Sequence, residues 1–275
     1  MLTMSLSVNM PSTQARALDQ FFTRPEVATK CVSELVKWAD RQSGDWLWIE
    51  PSAGGGAFLD AMPYPQIGLD IASSRSDVMK ADFLQWRPGK TNRRVAVVGN
   101  PPFGKNASLA RAFVNHAAGF ADVIAFIVPR TFEKPAFINK LDQRLHLVSQ
   151  HALNEDSFEF DGASYSVPTV FQIWERRKTL RPLNAQVTRH SDFSFVTADH
   201  AHFAFQRVGA RAGLASVEGL QKSPQSHYFL RASENHGTLL DRLTAIDWTP
   251  IKTRTAGNPS IGKGELIAAY SALHG

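Results

Sequence analysis

Short apolar runs alternate with segments of helical periodicity over the first two thirds of the chain. This alternation is typical of a parallel sheet with helices on both faces. Two further strands, at 145–153 and 169–175, have no helix between them, which predicts an antiparallel pair at one edge. We therefore expect an α/β fold with a seven-stranded, mostly parallel sheet. The five earlier runs with the length and composition of strands are 46–49, 66–71, 79–84, 95–99 and 122–128.

Helical segments are expected between most of these strands. The first covers residues 24–41, where apolar residues recur at helical spacing. Thr23 stands where a capping residue is expected, and Pro25 falls in the first turn, where its missing N–H costs little. Further helices are predicted at 57–62, directly after residue 71, at 108–118 and at 134–141.

The pattern changes after Glu175. A basic joint at 176–178 is followed by two predicted strands, 193–196 and 203–205, and by a closing helix at 265–273. We expect three parts: a flexible tail at 1–20, a catalytic domain at 21–176, and a small α+β module at 177–275.

The basic residues are distributed unevenly. Residues 1–175 carry 17 Lys and Arg against 18 Asp and Glu, whereas residues 176–275 carry 13 against seven. This asymmetry favours a polyanionic partner for the last third, with a merely solvated basic surface as the alternative. Along the sequence these basic residues are spread, with no cluster: Arg207, Arg211, Lys222, Arg231, Lys252, Arg254 and Lys263.

The single cysteine, Cys31, excludes an intramolecular disulfide and a cysteine-cluster metal site, so we expect no metal. No apolar run approaches the 18 residues of a membrane span, and the first 14 residues lack the features of a signal peptide. A cytoplasmic protein without a membrane contact is the expectation. The oligomeric state is left open.

The corner Asn100-Pro101-Pro102-Phe103 directly follows the buried strand 95–99. Two prolines end the strand because neither has an N–H to donate. An amide oxygen, a proline carbonyl and an aromatic face at the carboxyl end of a strand could receive the amino group of a flat heterocycle. The alternative is a simple strand-ending turn.

A second set of residues has the pattern of a nucleoside site. Residues 50–58 place Glu50 and three glycines where a strand turns into a helix. Asp70 ends the next strand, where an acid commonly accepts the ribose hydroxyls, and Asp82-Phe83 could hold an adenine. The turn lacks the Gly-Lys-Ser/Thr of a phosphate loop. An acidic Glu50 would repel pyrophosphate and suit a sulfonium or ammonium group, which favours S-adenosylmethionine over NAD.

Taken in order, these motifs resemble a known family. Residues 21–25, 50–58, Asp70, Asp82-Phe83 and 100–103 are similar to the amino-methyltransferases that modify adenine N6 in DNA, in the arrangement where cofactor motifs precede the catalytic motif. The resemblance covers roughly residues 21–176. It implies the seven-stranded methyltransferase sheet, S-adenosylmethionine as cofactor, and methyl transfer to a base flipped out of DNA.

The resemblance also implies roles for individual residues. Thr23 would contact the methionine carboxylate, Glu50 and the glycine turn would hold the methionine moiety, and Asp70 would bind the ribose. Asp82 and Phe83 would hold the cofactor adenine. The whole implied cofactor set is Thr23, Glu50, Pro51, Ala53, Gly54, Gly56, Asp70, Ile71, Asp82, Phe83 and Asn100.

On the substrate side, Asn100 and the Pro101 carbonyl would bind the target amine, with Pro102 completing the corner. Phe103 would stack on the target base, and Lys105 would lie beside it. A second stacking ring is expected between the last two strands, where Phe158, Phe160 and Tyr165 are the candidates and Phe160 is preferred.

Other functions share parts of this pattern. An adenine-N6 methyltransferase acting on RNA carries a similar corner, and glutamine N-methylation on a protein uses a similar Asn-Pro-Pro turn. A nucleic-acid-binding module without catalysis is the fourth possibility, and cofactor binding distinguishes it from the others.

Overall fold

The computed structural model describes residues 22–154, 156–160, 163–165, 167–185, 187–255 and 257–274. The predicted tail at 1–20 lies outside them. The chain divides into two compact units, which we describe separately. The first comprises the described residues up to Val128 together with Leu141–Arg181, and the second comprises Pro129–Lys140 together with the described residues from Pro182 onward.

The first unit contains the seven predicted sheet strands and three further short ones. Its strands are β1 (Phe22–Thr23), β2 (Trp46–Glu50), β3 (Gln66–Asp70), β4 (Val78–Lys80), β5 (Arg94–Gly99), β6 (Val123–Pro129), β7 (Leu145–Ala152), β8 (Phe158–Phe160), β9 (Ala163–Tyr165) and β10 (Thr169–Arg176). Its helices are α1 (Pro25–Ala39), α2 (Ala57–Ala61) and α3 (Ser108–Ala117), and α4 (Pro135–Ile138) belongs to the second unit.

The large sheet has the strand order β4-β3-β2-β5-β6-β10-β7. Strands β2 to β6 pair in parallel, and β10 pairs with β7 in antiparallel register. The predicted seven-stranded sheet with its final antiparallel pair is therefore confirmed. Every residue of β6 is buried, as expected for a central strand of a parallel sheet.

The start of α1 differs from the prediction. Thr23 does not cap this helix, because its backbone is part of β1 and pairs with Phe158. Arg24 takes the N-cap position, with extended backbone at φ −63° and ψ 141°. Pro25 causes this, since a proline disfavours the helical conformation in the residue before it.

The helix expected after residue 71 is absent from the described structure. Polar side chains in this segment take up the backbone amides locally: Asp70 accepts the N–H of Ala72, and Ser73 accepts the N–H of Arg75. Such local bonds compete with helix formation. The next strand, β4, is also shorter than predicted, so that Asp82 and Phe83 follow it rather than end it.

A small three-stranded sheet of order β1-β8-β9 accompanies the large one. Strands β8 and β9 form the hairpin expected between the last two strands of the large sheet. The pairing of β1 with β8 was not predicted, because a two-residue strand has no periodicity to reveal it. It ties the residues before α1 to the hairpin.

The second unit contains a four-stranded antiparallel sheet of order β11-β14-β12-β13. Its strands are β11 (Phe193–Val196), β12 (Phe203–Gln206), β13 (Ala215–Ser216) and β14 (His227–Ala232), and its further helices are α5 (His236–Ala245), α6 (Thr249–Lys252) and α7 (Lys263–His274). Strands β13 and β14 and helices α5 and α6 were not predicted. Phe203 and Phe205 are fully buried in the core that this sheet forms with Leu239, Leu266 and Tyr270.

Among the described helices, none combines the length and apolar character that crossing a membrane requires.

Candidate functional site

A cavity of about 760 Å³ opens where β2, β3 and β5 end. The carboxyl ends of parallel strands meet at one edge of a sheet, which explains why motifs far apart in sequence gather there. The cavity is lined by these residues of the predicted site: Thr23, Glu50, Pro51, Ala53, Gly54, Asp70, Ile71, Asp82, Phe83, Asn100 and Pro102. Four others do not line it, namely Gly56, Pro101, Phe103 and Lys105.

Glu50 is the last residue of β2 and is only 2% exposed. Its Oε2 has no hydrogen-bond partner among the described residues. Burial raises the pKa of this carboxyl group well above its ordinary value, with a smaller opposing effect from the backbone at Leu59. A buried carboxylate oxygen without a partner is costly, and a cationic ligand group in the cavity would offset that cost.

Asp70 organises the glycine loop and also faces the cavity. Its Oδ2 accepts the N–H of Gly54 at 2.8 Å, and its Oδ1 accepts the N–H of Ala72 at 2.7 Å. Gly54 has a φ of 49°, a conformation that favours glycine. Each carboxylate oxygen keeps a second lone pair, so that the pair can still accept two hydroxyl groups of a ligand.

Asp82 lies just beyond β4. Its Oδ1 accepts the N–H of Leu84 at 2.9 Å, and its Oδ2 accepts from Gln85 Nε2 at 2.8 Å. Phe83 is 1% exposed, and its ring centroid lies 5.1 Å from that of Phe113. The ring therefore belongs mainly to the core. Phe113 also lines the cavity, and the sequence analysis did not identify it because it appears as one of several apolar residues in α3.

The Asn-Pro-Pro-Phe corner is tied to the glycine loop. The hydroxyl of Ser52 donates to the backbone carbonyl of Asn100 at 3.1 Å. Asn100 and Pro102 line the cavity, whereas Pro101 is buried outside its lining. This hydrogen bond to its main chain holds Asn100 beside the residues that are predicted to bind the cofactor.

Phe103 is 6% exposed and is absent from the cavity lining. In this conformation its ring offers little open surface to a base. The next residues form a short 3₁₀ turn, Lys105–Ala107, in which Asn106 and Ala107 have positive φ values of 54° and 59°. Two adjacent non-glycine residues in this region store backbone strain, which is common at sites that rearrange. Lys105 is exposed on this turn.

The structure decides the role of only one of the three candidate stacking rings in the hairpin. Phe158 is fully buried, which excludes it as an open stacking surface. The side chains of Phe160 and Tyr165 lie outside the described part of the structure, so that the choice of Phe160 stays a prediction.

The residues before α1 cover the glycine loop. Thr23 is buried and lines the cavity, and its Oγ1 has no partner among the described residues. The ring of Phe22 covers Gly54, with Cε1 3.4 Å from the point that a Cβ would occupy. A buried hydroxyl that faces a cavity without a partner is a site for a polar ligand group. Thr23 therefore fits the carboxylate contact that the resemblance implies.

Arg75 is the main structural residue that the sequence analysis missed. Its guanidinium donates to the carbonyl of Gly55 at 3.1 Å and pairs with Asp60 and Asp77, each at 2.7 Å. Hydrogen bonds to these two carboxylates raise the pKa of Arg75 further above its ordinary range. The local sequence did not indicate this role, because two of its partners, Gly55 and Asp60, are 20 and 15 residues away.

A substitution at Gly56 tests the role of these Arg75 contacts, which we call the Arg75 clamp. It has a φ of 90° and precedes α2, and a Cβ there would overlap the guanidinium of Arg75. We expect Gly56→Ala to lower the free energy of unfolding by about 1–3 kcal/mol through backbone strain and displacement of Arg75. Urea unfolding measures this change, and Gly89→Ala, with no neighbour within 4 Å of the new Cβ, is the matched control.

The double variant Gly56→Ala/Arg75→Ala separates the two contributions. Removing the guanidinium relieves the overlap but not the strain at positive φ. The two changes should therefore cost less together than the sum of the single changes. Additive effects would contradict the clamp.

The charge of the cavity lining is one-sided. Four carboxyl groups line it, those of Glu50, Asp60, Asp70 and Asp82, of which Asp60 is paired with Arg75. No Lys, Arg or His of the described residues lines it. Such a lining disfavours a pyrophosphate and favours a cationic group. Within the described residues, no group of three or more His, Cys, Asp and Glu is placed to hold a metal ion.

Comparison with known proteins gives structural neighbours only. No protein-family model matches the chain, and no curated protein is similar to it in sequence. Solved structures that are similar include a putative RNA methyltransferase from Pyrococcus horikoshii, with 16% identity, a TM-score of 0.48, and coverage of 62% of this chain and 94% of that one.

Two others are also methyltransferases. A putative class I S-adenosylmethionine-dependent methyltransferase from Listeria monocytogenes has 12% identity, a TM-score of 0.44, and coverage of 60% of this chain and 64% of that one. A type I restriction-modification methyltransferase subunit from Streptococcus thermophilus has 13% identity, a TM-score of 0.43, and coverage of 84% and 55%. Similarities at this level carry no information on the substrate of this chain.

Proposed function

We propose that this chain transfers a methyl group from S-adenosylmethionine to the exocyclic N6 amine of adenine in DNA. The observation that carries the proposal is the cavity itself. It combines four carboxylates, no basic side chain of the described residues, and the amide of Asn100 at the end of a neighbouring strand. A cofactor with an ammonium group and a sulfonium link to its nucleoside fits this lining better than a dinucleotide with its pyrophosphate does.

The cofactor would lie along the edge of the sheet. The ionised carboxylate of Glu50 and the hydroxyl of Thr23 would hold the methionine portion, because both have a buried oxygen without a partner among the described residues. Asp70 would accept the ribose hydroxyls through its second lone pairs. Asp82, with Phe83 and Phe113, would enclose the adenine.

The chemistry of transfer would depend on Asn100. An exocyclic adenine nitrogen delocalises its lone pair into the ring and is a poor nucleophile. Acceptance of its hydrogens by the Asn100 amide oxygen and the Pro101 carbonyl would localise that pair towards the methyl group. Since the methyl group on sulfur is already activated, positioning supplies most of the rate.

The target base would enter by flipping, at a cost of a few kcal/mol for a duplex. We propose that Phe103 stacks on this base after the strained turn at Lys105–Ala107 rearranges, and that Lys105 contacts the neighbouring phosphate. Stacking would offset about 1–3 kcal/mol of the flipping cost. Residues 21–176 would then carry catalysis, and residues 177–275 would bind the polymer.

A labelled-methyl assay tests this function. We expect S-adenosylmethionine to bind, and label to reach duplexes that contain adenine but not G·C polymers, with N6-methyladenine as the recovered nucleoside. Transfer to RNA alone would overturn the DNA assignment, and label on glutamine of a protein would overturn the nucleic-acid assignment. Failure to bind S-adenosylmethionine would overturn the function altogether.

A further inference from the structure

Six basic residues of the second unit are spread along the sequence but lie on three segments that are joined by backbone contacts. These segments are residues 206–213, 222–228 and 252–263 without residue 256, and we call the face that they form the three-loop surface. Together they carry six Lys and Arg and no Asp or Glu. Its basic residues are Arg207, Arg211, Lys222, Lys252, Arg254 and Lys263.

Hydrogen bonds hold the three segments together. The N–H of Arg207 donates to Ser226 O at 2.9 Å, and the N–H of Ile261 donates to Arg207 O at 2.9 Å. An isolated β-bridge joins Val208 to Ser260, and Lys252 Nζ donates to Ala210 O at 3.1 Å. The basic residues therefore lie on loops whose backbones are hydrogen-bonded to one another.

Basic and acidic residues are separated within residues 182–275, the larger part of the second unit. Residues 182–275 contain nine Lys and Arg and seven Asp and Glu, and all seven acids lie outside the three segments. The nearest acid in sequence, Glu265, forms an ion pair with Lys134 at 3.1 Å. Its carboxylate also accepts the N–H of Gly262, so the start of α7 is occupied by an acid and does not hold a phosphate.

Three basic residues that precede Pro182 form contacts within the first unit. Arg176 pairs with Asp122, Arg177 pairs with Glu175, and Arg181 donates to the carbonyl of Leu141. These three side chains stabilise the first unit. The polyanion contact that the sequence suggested for the last third is therefore best sought on the three-loop surface.

The aromatic rings beside this surface are covered by cations. Lys263 Nζ lies 4.5 Å from the ring centroid of Phe195, and the guanidinium of Arg207 lies 5.0 Å from that of Tyr228. Both rings are half-buried against the core. Binding of splayed single-stranded bases uses open aromatic platforms, which these rings do not provide. The surface suits a phosphodiester backbone instead.

We propose that the three-loop surface binds the phosphodiester backbone of duplex DNA and thereby holds the substrate of the proposed methyl transfer. This inference rests on the proposed function for the identity of the polymer. Phosphate contacts of this kind set affinity and position without reading sequence.

The test compares two double variants with equal loss of charge. Arg211→Gln/Lys222→Gln removes two exposed cations from the surface, and Arg189→Gln/Arg231→Gln removes two exposed cations of the same unit outside it. Binding is measured by fluorescence anisotropy of a labelled duplex of about 30 base pairs, without cofactor, at several salt concentrations.

We expect the surface variant to weaken DNA binding by about 10-fold to 50-fold near 0.1 M salt and to lower the slope of log K against log salt by about 2. The control variant should change binding by less than about threefold, as expected for cations that make no phosphate contact. Both variants should keep the thermal midpoint and the affinity for S-adenosylmethionine.

Several results would overturn the inference: equal effects of the two variants, an unchanged salt slope, or tighter binding of single-stranded DNA, RNA or heparin than of duplex DNA. The outcome is separable from that of the proposed function. If DNA binding depends on the three-loop surface but no methyl group is transferred, only the proposed function is rejected. If methyl transfer occurs and is unaffected by the surface variant, only the proposed role of the three-loop surface is rejected.

Discussion

Replacing Asn100 by Ala should lower the rate of methyl transfer to DNA about 10³-fold, while the Kd for S-adenosylmethionine changes by less than about threefold. The amide oxygen of Asn100 is the proposed acceptor for the target amine. Without it, the lone pair of the adenine nitrogen stays delocalised. The hydrogen bond from Ser52 ends on the backbone carbonyl of Asn100, which the Ala variant keeps. The corner should therefore retain its shape.

Single-turnover transfer and isothermal titration with the cofactor measure the two effects separately. Asn92→Ala, in an exposed loop before β5, is the matched control and should leave both quantities unchanged. A parallel loss of cofactor binding and thermal stability in Asn100→Ala would show that this residue acts as a structural support rather than in transfer.

Replacing Glu50 by Gln should weaken the binding of S-adenosylmethionine about 10-fold to 100-fold at pH 8, since a charge-assisted contact is worth roughly 1.5–3 kcal/mol. Burial raises the pKa of Glu50 well above its ordinary value in the free protein. A cationic cofactor favours the ionised form. The affinity of the unmodified protein should therefore rise as the pH increases through the raised pKa, and that of the Gln variant should not.

Although Glu50→Gln should weaken cofactor binding, it should stabilise the protein without cofactor. A carboxyl group whose pKa is raised by folding contributes most to stability below its unfolded pKa, and this contribution is lost as the pH rises through the folded pKa. Glu50→Gln removes the cost of ionising a buried group, so that unfolding without cofactor at pH 8 should require about 1–3 kcal/mol more.

Denaturant unfolding between pH 5 and about pH 9 checks this sign, with exposed Glu218→Gln as the control. A Gln variant that binds the cofactor equally well at every pH would contradict the role of Glu50. A lower free energy of unfolding of the Gln variant at pH 8 would contradict the expectation that the buried carboxyl group of Glu50 is costly to ionise.

The candidate site follows from the sequence where strand ends determine it. Glu50, Asp70 and Asn100 each end or follow a parallel strand, and adjacent parallel strands bring such residues to one edge whatever the details of the loops. Arg75 could not be predicted in this way. Its partners Gly55 and Asp60 are brought to it by the loop conformation, which local periodicity does not encode.

The aromatic residues show the same limit in another form. The motifs and the resemblance that they carry mark Phe83, Phe103 and Phe158 as rings available for stacking, but packing decides whether a ring faces a cavity or the core. The fold buries all three, and only Phe83 reaches the cavity lining. Exposure of a ring depends on neighbours that are distant in sequence, and Phe113 contacts Phe83 from a helix 30 residues further on.

The sequence by itself determined the seven-stranded sheet, its antiparallel edge and the acidic, amide-bearing end of its strands, because strand length and alternation are local properties. Only the tertiary structure decided which of the basic segments lie together. Arg207, Lys222 and Lys263 are 15 to 56 positions apart and appear scattered in the sequence, but loop contacts gather their segments into one frame without an acid. Long-range backbone pairing, which no local pattern encodes, is the physical reason.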